Sequence, residues 1–457
     1  MDRTLRPAPR SYLAATPDFA AGKDSPAAFL ERCLTELDAR EPQVQAFVCH
    51  DARNARALAD AASRRWKEGR PLSPIDGMPV GVKDVIETAD MPTGMGSPLF
   101  TGWRSGRDSA SVKALRETGA IILGKTVTTE FATVHPGPTR NPWDLARTPG
   151  GSSSGSAAAV ATGMVSAALG TQVVGSILRP ASYCGCVGFK PSVGAVNRGG
   201  SHDCCSQSVQ GVLAETLADA WQVLTEIVAR VGGDPGWPGL AGPASLPPRR
   251  TPRTIAVLET PAWADASEAA KAALHEACHA LAAGGVSVLR RRDRPEIEAV
   301  ERALAETQRL TRVINTWESR WPTNIYRDRD AAKLSRHMHQ RLKEAEGMTV
   351  DDYRHALRRR AEVRRVYEAL SGVASLCITL AASGAAPIGI ESTGNPAFAA
   401  ASSLLGVPAL SLPLLEDESL PLGLQALGFE QRDAELFGYA GAIAALVSAG
   451  PSTRLRG

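Results

Sequence analysis

Between Pro149 and Arg179 the chain reads P-G-G-S-S-S-G-S-A-A-A-V-A-T-G-M-V-S-A-A-L-G-T-Q-V-V-G-S-I-L-R, a run dominated by small residues. Ser152 and Ser176 each follow a glycine directly, on backbone free to bend sharply. Ser152 opens a stretch that should start a helix. The N–H groups leading into Ser176 can converge on an oxyanion. Upstream, Pro79-Val80-Gly81-Val82-Lys83-Asp84-Val85 sets one lysine in an apolar segment. A lysine buried among apolar groups loses its preference for charge and can serve as a base near neutral pH. A single Ser/Gly cluster is usually a loop or a helix cap. Two clusters together with such a lysine are the parts of a serine hydrolase whose base is lysine.

The rest of the chain supplies a frame for these parts. Its 457 residues suffice for one large domain or two ordinary ones, and 44% hydrophobic with 22% charged residues suits a globular protein. A net charge of +3 argues for neither nucleic acid nor a membrane surface. No run of about eighteen apolar residues occurs, and the start lacks a signal-peptide core, so a cytoplasmic location is expected. Arg3, Arg6 and Arg10 read as a loose tail over residues 1–24. The eight cysteines form no C-x-x-C pair and read as reduced thiols.

Apolar spacing predicts helices over Ser25–Asp38, Ala55–Glu68, Ser109–Thr118, Ala157–Thr162, Leu217–Val231 and Ala266–Ala283. Short apolar runs predict strands within Met78–Ile86, Ala120–Gly124, Val165–Leu169, Thr254–Leu258, Ala374–Leu380 and Val407–Pro413. That alternation argues for an α/β layered domain. Gly232–Pro252 reads as a surface linker, and 296–370 as a charged helical insertion forming an outer layer.

At Pro149–Ser156 and Gly170–Ser192 the text resembles the amidase signature family, as do Gly81–Asp84, Asp108–Thr126, Leu405–Ala409 and Leu420–Gln425. The resemblance implies one domain over 25–457, with a mixed, largely parallel sheet covered by helices on both faces. It implies a triad of Ser176 as nucleophile, Ser152 as bridge and Lys83 as base, with a cis peptide between Gly151 and Ser152. The amides of Val173, Val174 and Gly175, with that of Ser176, would form the oxyanion hole. It implies hydrolysis of a C–N bond in a small-molecule amide, carbamate or urea-type substrate, through an acyl-enzyme and without metal or organic cofactor. The alternatives are an amidotransferase subunit that releases ammonia to a partner, and a catalytically silent scaffold. Neither nucleic acid nor membrane is an expected partner, and a homodimer is left open.

Three positions depart from the family text. Gln172 stands where aspartate is common, Val174 replaces a glycine, and Arg179 lies one place later than the usual arginine. If the segment is extended, that shift turns Arg179 to the opposite face, where it would bind an acidic or strongly polar part of the substrate. The other reading braces the loop. His275-Glu276-Ala277-Cys278-His279 fits H-E-x-x-H, but no third ligand follows and a zinc site is not expected. Gly151–Gly155 fits G-x-S-x-G without the strand a nucleophile elbow needs. Thr93–Pro98, Gly199–Ser208 and the insertion are the expected pocket loops.

Overall fold

The computed structural model describes residues 7–203 and 205–449, and these build around a single eleven-stranded sheet. In chain order the strands are β1 (Phe47–His50), β2 (Pro79–Lys83), β3 (Ile121–Thr126), β4 (Ala167–Gln172), β5 (Val187–Lys190), β6 (Val209–Ala214), β7 (Thr254–Val257), β8 (Ser287–Leu289), β9 (Leu376–Leu380), β10 (Ala409–Asp417) and β11 (Leu420–Leu427). Across the sheet the order is β1-β3-β2-β4-β6-β5-β10-β11-β9-β7-β8.

The sheet is mixed, but its parallel share is smaller than expected. Parallel pairing is confined to β3-β2-β4 and β9-β7-β8. The middle, from β4 through β6, β5, β10 and β11 to β9, is antiparallel. Short connections such as Glu418-Ser419 between β10 and β11 allow only the antiparallel choice. Both Glu418 and Ser419 have positive φ there.

Helix starts follow the sequence signals closely. Ser25 caps Pro26–Val44 by accepting from the Ala28 N–H, and Phe29, Leu30, Cys33, Leu34 and Leu37 form its buried face. Ser109 caps Ala110–Glu117, and the chain leaves that helix through Gly119 at φ +83. The helix Ser154–Ala161 is buried on every side and lies against β2, β3 and β4. Only small residues fit there. A Cβ on Gly155 would stand 2.1 Å from the Ala46 carbonyl oxygen and 2.4 Å from the Val127 nitrogen.

Two expectations are corrected. The N-terminal stretch is packed from Ser11 onward rather than loose. Tyr12 is fully buried, its ring meets Phe19 and Phe29, and Phe19 meets Trp66. Two aromatic rings in that stretch supply the apolar area that holds it down. Arg3 and Arg6 lie outside the described residues. The segment expected as an outer layer does form helices, among them Thr307–Glu318, Arg320–Asp330, Arg336–Glu346 and Val350–Glu368. It also reaches inward: Tyr326 stacks on Phe131 at 4.7 Å, and the Ser335 N–H donates to Glu130 Oε1 at 3.2 Å. Among the described residues, no helix is long and apolar enough to cross a membrane.

Candidate active site

Lys83 is the last residue of β2, a strand buried along its whole length. Its side chain is fully buried. Nζ lies 2.8 Å from Ser152 Oγ and 2.7 Å from Thr171 Oγ1. Burial pulls its pKa down to about 7, and the charge of Asp203 opposes that pull. Lys190 is equally buried and also pulled down to about 7, yet its Nζ donates to the Pro191 carbonyl. Depression alone therefore does not mark a base. What sets Lys83 apart from Lys190 is the hydroxyl of Ser152 beside it.

The peptide between Gly151 and Ser152 is cis. Gly150, at φ +82, brings this turn so close to Pro180 that a Cβ would stand 2.9 Å from the Pro180 Cα. The Thr129 N–H donates to the Ser152 carbonyl at 3.3 Å, and the Ser153 N–H donates to the Ser176 carbonyl at 3.3 Å. The two serine-bearing segments thus lie side by side, next to the end of β2. Ser176 is 8% exposed, the most open of the three triad candidates.

After β4 the chain turns through Val173, Val174 and Gly175 to Ser176. Among the described residues, no acceptor is found for any of these four N–H groups. Buried or half-buried amides are seldom left so, and a free run of them is what an oxyanion needs. Gln172 holds the turn from beneath. Its side-chain Oε1 accepts from the Ile177 and Leu178 N–H groups at 2.9 and 3.1 Å. Its amide donates to the Val174 carbonyl and to Ser403 Oγ, and Ser403 Oγ donates to the same carbonyl. A carboxylate could accept those amides but could not donate, so glutamine at 172 keeps the anchor and adds a tie.

Arg179 is turned onto the backbone rather than presented on an extended segment. It lies in the helix Leu178–Cys184, so the extended segment assumed for the face reversal does not exist. Its guanidinium donates to the carbonyls of Gly151 and Gly394 at 2.7 and 3.0 Å and to Thr393 Oγ1 at 2.9 Å. The side chain is a brace under the Gly151–Ser152 turn. Arg179→Lys loses that fork, and a triad displaced by even an ångström should lower kcat/KM roughly 10- to 100-fold. The loss should be equal on neutral and carboxylate-bearing amides, with a lower melting temperature. A loss confined to carboxylate-bearing amides would return Arg179 to the pocket.

Sequence reasoning passed over Thr171 and the pair Asp84–Lys125. Thr171 sits inside the matched Gly170–Ser192 text, but only the fold brings its hydroxyl to Lys83. Asp84 follows Lys83 directly, and its carboxylate meets Lys125 Nζ of β3 at 3.1 Å, both side chains essentially unexposed. Lys125 also donates to the Pro92 carbonyl and Thr93 Oγ1, and Asp84 Oδ2 accepts from the Gly94 N–H. The pair therefore ties the loop at 92–95 to the strands beside Lys83.

The remaining motifs lie elsewhere. His275 and His279 line a groove of about 1610 Å³ between Glu268–Ala283 and Asp433–Ser448, which holds no triad residue. Among the described residues, no three His, Cys, Asp or Glu side chains are grouped to hold a metal. Ser153 Oγ points back to the Thr171 carbonyl at 3.3 Å. Cys204 lies outside the described residues.

A sequence model of the amidase family matches residues 28–437. The chain is 42% identical to a glutamyl-tRNA(Gln) amidotransferase subunit from Chloroflexus aggregans over 229 residues, which is 49% of this chain and 46% of that protein. It is 43% identical over 223 residues to the corresponding subunit from an Anaeromyxobacter species, covering 47% and 45%. The chain thus spans about half the length of these curated relatives. Among solved structures, an amidase at 27% identity superposes with TM-score 0.81 over 95% of this chain and 99% of its own. A chain of a vestigial complex tied to the origins of an s-triazine catabolic enzyme, at 26% identity, gives 0.82 over 96% and 98%.

Proposed function

This chain belongs to the amidase family, and from that premise we propose that it hydrolyses the C–N bond of a small amide or carbamate through Lys83, Ser152 and Ser176. The observation that carries the reading is Lys83 Nζ, fully buried and 2.8 Å from Ser152 Oγ. Neutral Lys83 accepts the Ser152 proton while its own N–H groups face Thr171. Ser152 takes the proton of Ser176, and Ser176 Oγ attacks the carbonyl carbon. The amides of Val173, Val174, Gly175 and Ser176 receive the oxyanion. The proton returns through Ser152 to the leaving nitrogen, and water then cleaves the acyl-enzyme.

A second reading, an amidotransferase subunit that passes ammonia to a partner, is favoured by the names of the sequence relatives. The glutamine at 172 and the valine at 174 weigh toward a stand-alone enzyme with its own pocket.

Turnover of a panel of amides, anilides, carbamates and ureas by the purified chain separates the two. Hydrolysis without added protein supports the first reading. Glutamine as sole substrate, hydrolysed only with small partner subunits present, supports the second. The pH profile adds a mark of the base. A protonated lysine has no lone pair, so kcat/KM should fall about tenfold per pH unit below about 7 and level off above it. A flat profile from pH 5 to 9 would remove Lys83 from the relay.

A further inference from the structure

The loop after β5 runs beside the segment that follows Lys83. The His202 N–H donates to the Val85 carbonyl and the Glu87 N–H to the Gly200 carbonyl, both at 2.9 Å. Ile86 and Ser201 form an antiparallel bridge. Asp203 follows His202 directly, so this pairing brings it beside the segment that leaves Lys83. Its charge opposes the effect of burial on Lys83.

Asp203 is 7% exposed. Its Oδ1 accepts from Ser208 Oγ at 2.5 Å. Its Oδ2 is buried and has no partner. Arg341, from the helix Arg336–Glu346, is near enough to feel the carboxylate, yet its hydrogen bonds go to Ser319 Oγ and the Asn315 carbonyl. On the same loop Gln207 is fully buried, and neither atom of its carboxamide has a partner. An unpaired buried carboxylate oxygen is costly, and a ligand, a water or an ion is what completes one. The helical insertion fixes the loop: the Ser206 N–H donates to Glu318 Oε2 at 2.6 Å and Arg360 donates to Ser206 Oγ at 2.8 Å.

We propose that Asp203 Oδ2 accepts a hydrogen bond from the substrate, so that the site selects amides carrying a second N–H donor, as an ammonium or an amide, beside the scissile bond. The inference rests on the amidase reading for the location of the scissile bond. It goes beyond that reading by naming what the rest of the substrate carries. The sequence contributes the acid, and the insertion holds the loop that carries it at Ser206.

Binding can be read without turnover in a Ser176→Ala background. Calorimetry compares butanamide with 4-aminobutanamide, which brings an ammonium, and with succinamide, which brings a neutral N–H donor. At least one of the two should bind tenfold or more tighter than butanamide. Adding Asp203→Ala should abolish that preference. Asp203→Asn, which preserves shape and the Ser208 contact, should abolish it for the ammonium and guards against misfolding. Equal binding of all three amides, or a preference that survives Asp203→Ala, overturns the proposal. Turnover of the same amides by the chain with Ser176 intact tests the amidase reading separately. Selective binding without hydrolysis would keep the role of Asp203 and reject that reading. Hydrolysis of butanamide without selectivity would do the reverse.

Discussion

Ser176→Ala and Lys83→Ala should each lower kcat by on the order of 10⁴-fold or more, with the fold intact. Ser176 is the least buried of the three, at 8% exposure, and alanine differs from it only by the hydroxyl oxygen. Lys83 is different. Its removal empties a buried site, but the lost amine is a group whose burial was unfavourable when charged. Stability should therefore change less than activity. Ser152→Ala should cost as much or less, since a water can stand between Lys83 and Ser176. The losses should not add, because the three groups move one proton as a unit. Steady-state kinetics on the best panel substrate, with melting curves for each variant, gives the comparison. A Ser176→Ala protein with near-normal turnover would reject the relay.

Asp84→Ala should destabilise the protein by about 3–5 kcal/mol, the usual consequence of leaving one partner of a buried ion pair alone. Lys125 would keep a cation in a site with no exposure, held only by the Pro92 carbonyl and Thr93 Oγ1. Burial pulls the Lys125 pKa down, and the Asp84 charge opposes that pull. Without the carboxylate, that opposition is lost. The loop at 92–95 would also lose its tie to Asp84 Oδ2. Replacing both partners, as Asp84→Leu with Lys125→Met, should recover much of the loss, because no unpaired charge remains. Urea unfolding of the single and double variants measures the difference. A single variant within about 1 kcal/mol of the parent would mean that Lys125 finds water or another acceptor.

Much of the fold was legible because local signals and packing agree. Ser25, Ser109 and Thr216 cap helices where the sequence places polar residues before apolar periods. Strands were found where apolar runs are short and bounded. The pairing direction was not legible, since a strand reads the same whether its neighbour is parallel or antiparallel. β11 went unassigned for another reason: Leu420–Leu427 carries Pro421 and Gly423, residues that usually interrupt a strand, yet it is buried throughout.

At the site, the sequence by itself determined which residue types are present and how far apart they lie. Lys83, Ser152 and Ser176 are recognisable from flanking glycines and apolar neighbours, and the cis peptide implied by the resemblance is present. Tertiary structure alone decided what each polar group faces. Arg179 reads equally well as ligand or brace until the helix Leu178–Cys184 turns it onto the Gly151 and Gly394 carbonyls. Thr171, Asp84 and Asp203 acquire their roles from strands and loops distant in sequence. The physical reason is range. Backbone bending and helix capping act over a few residues and are written locally. Desolvation and pairing of a buried charge depend on every chain segment that closes around it.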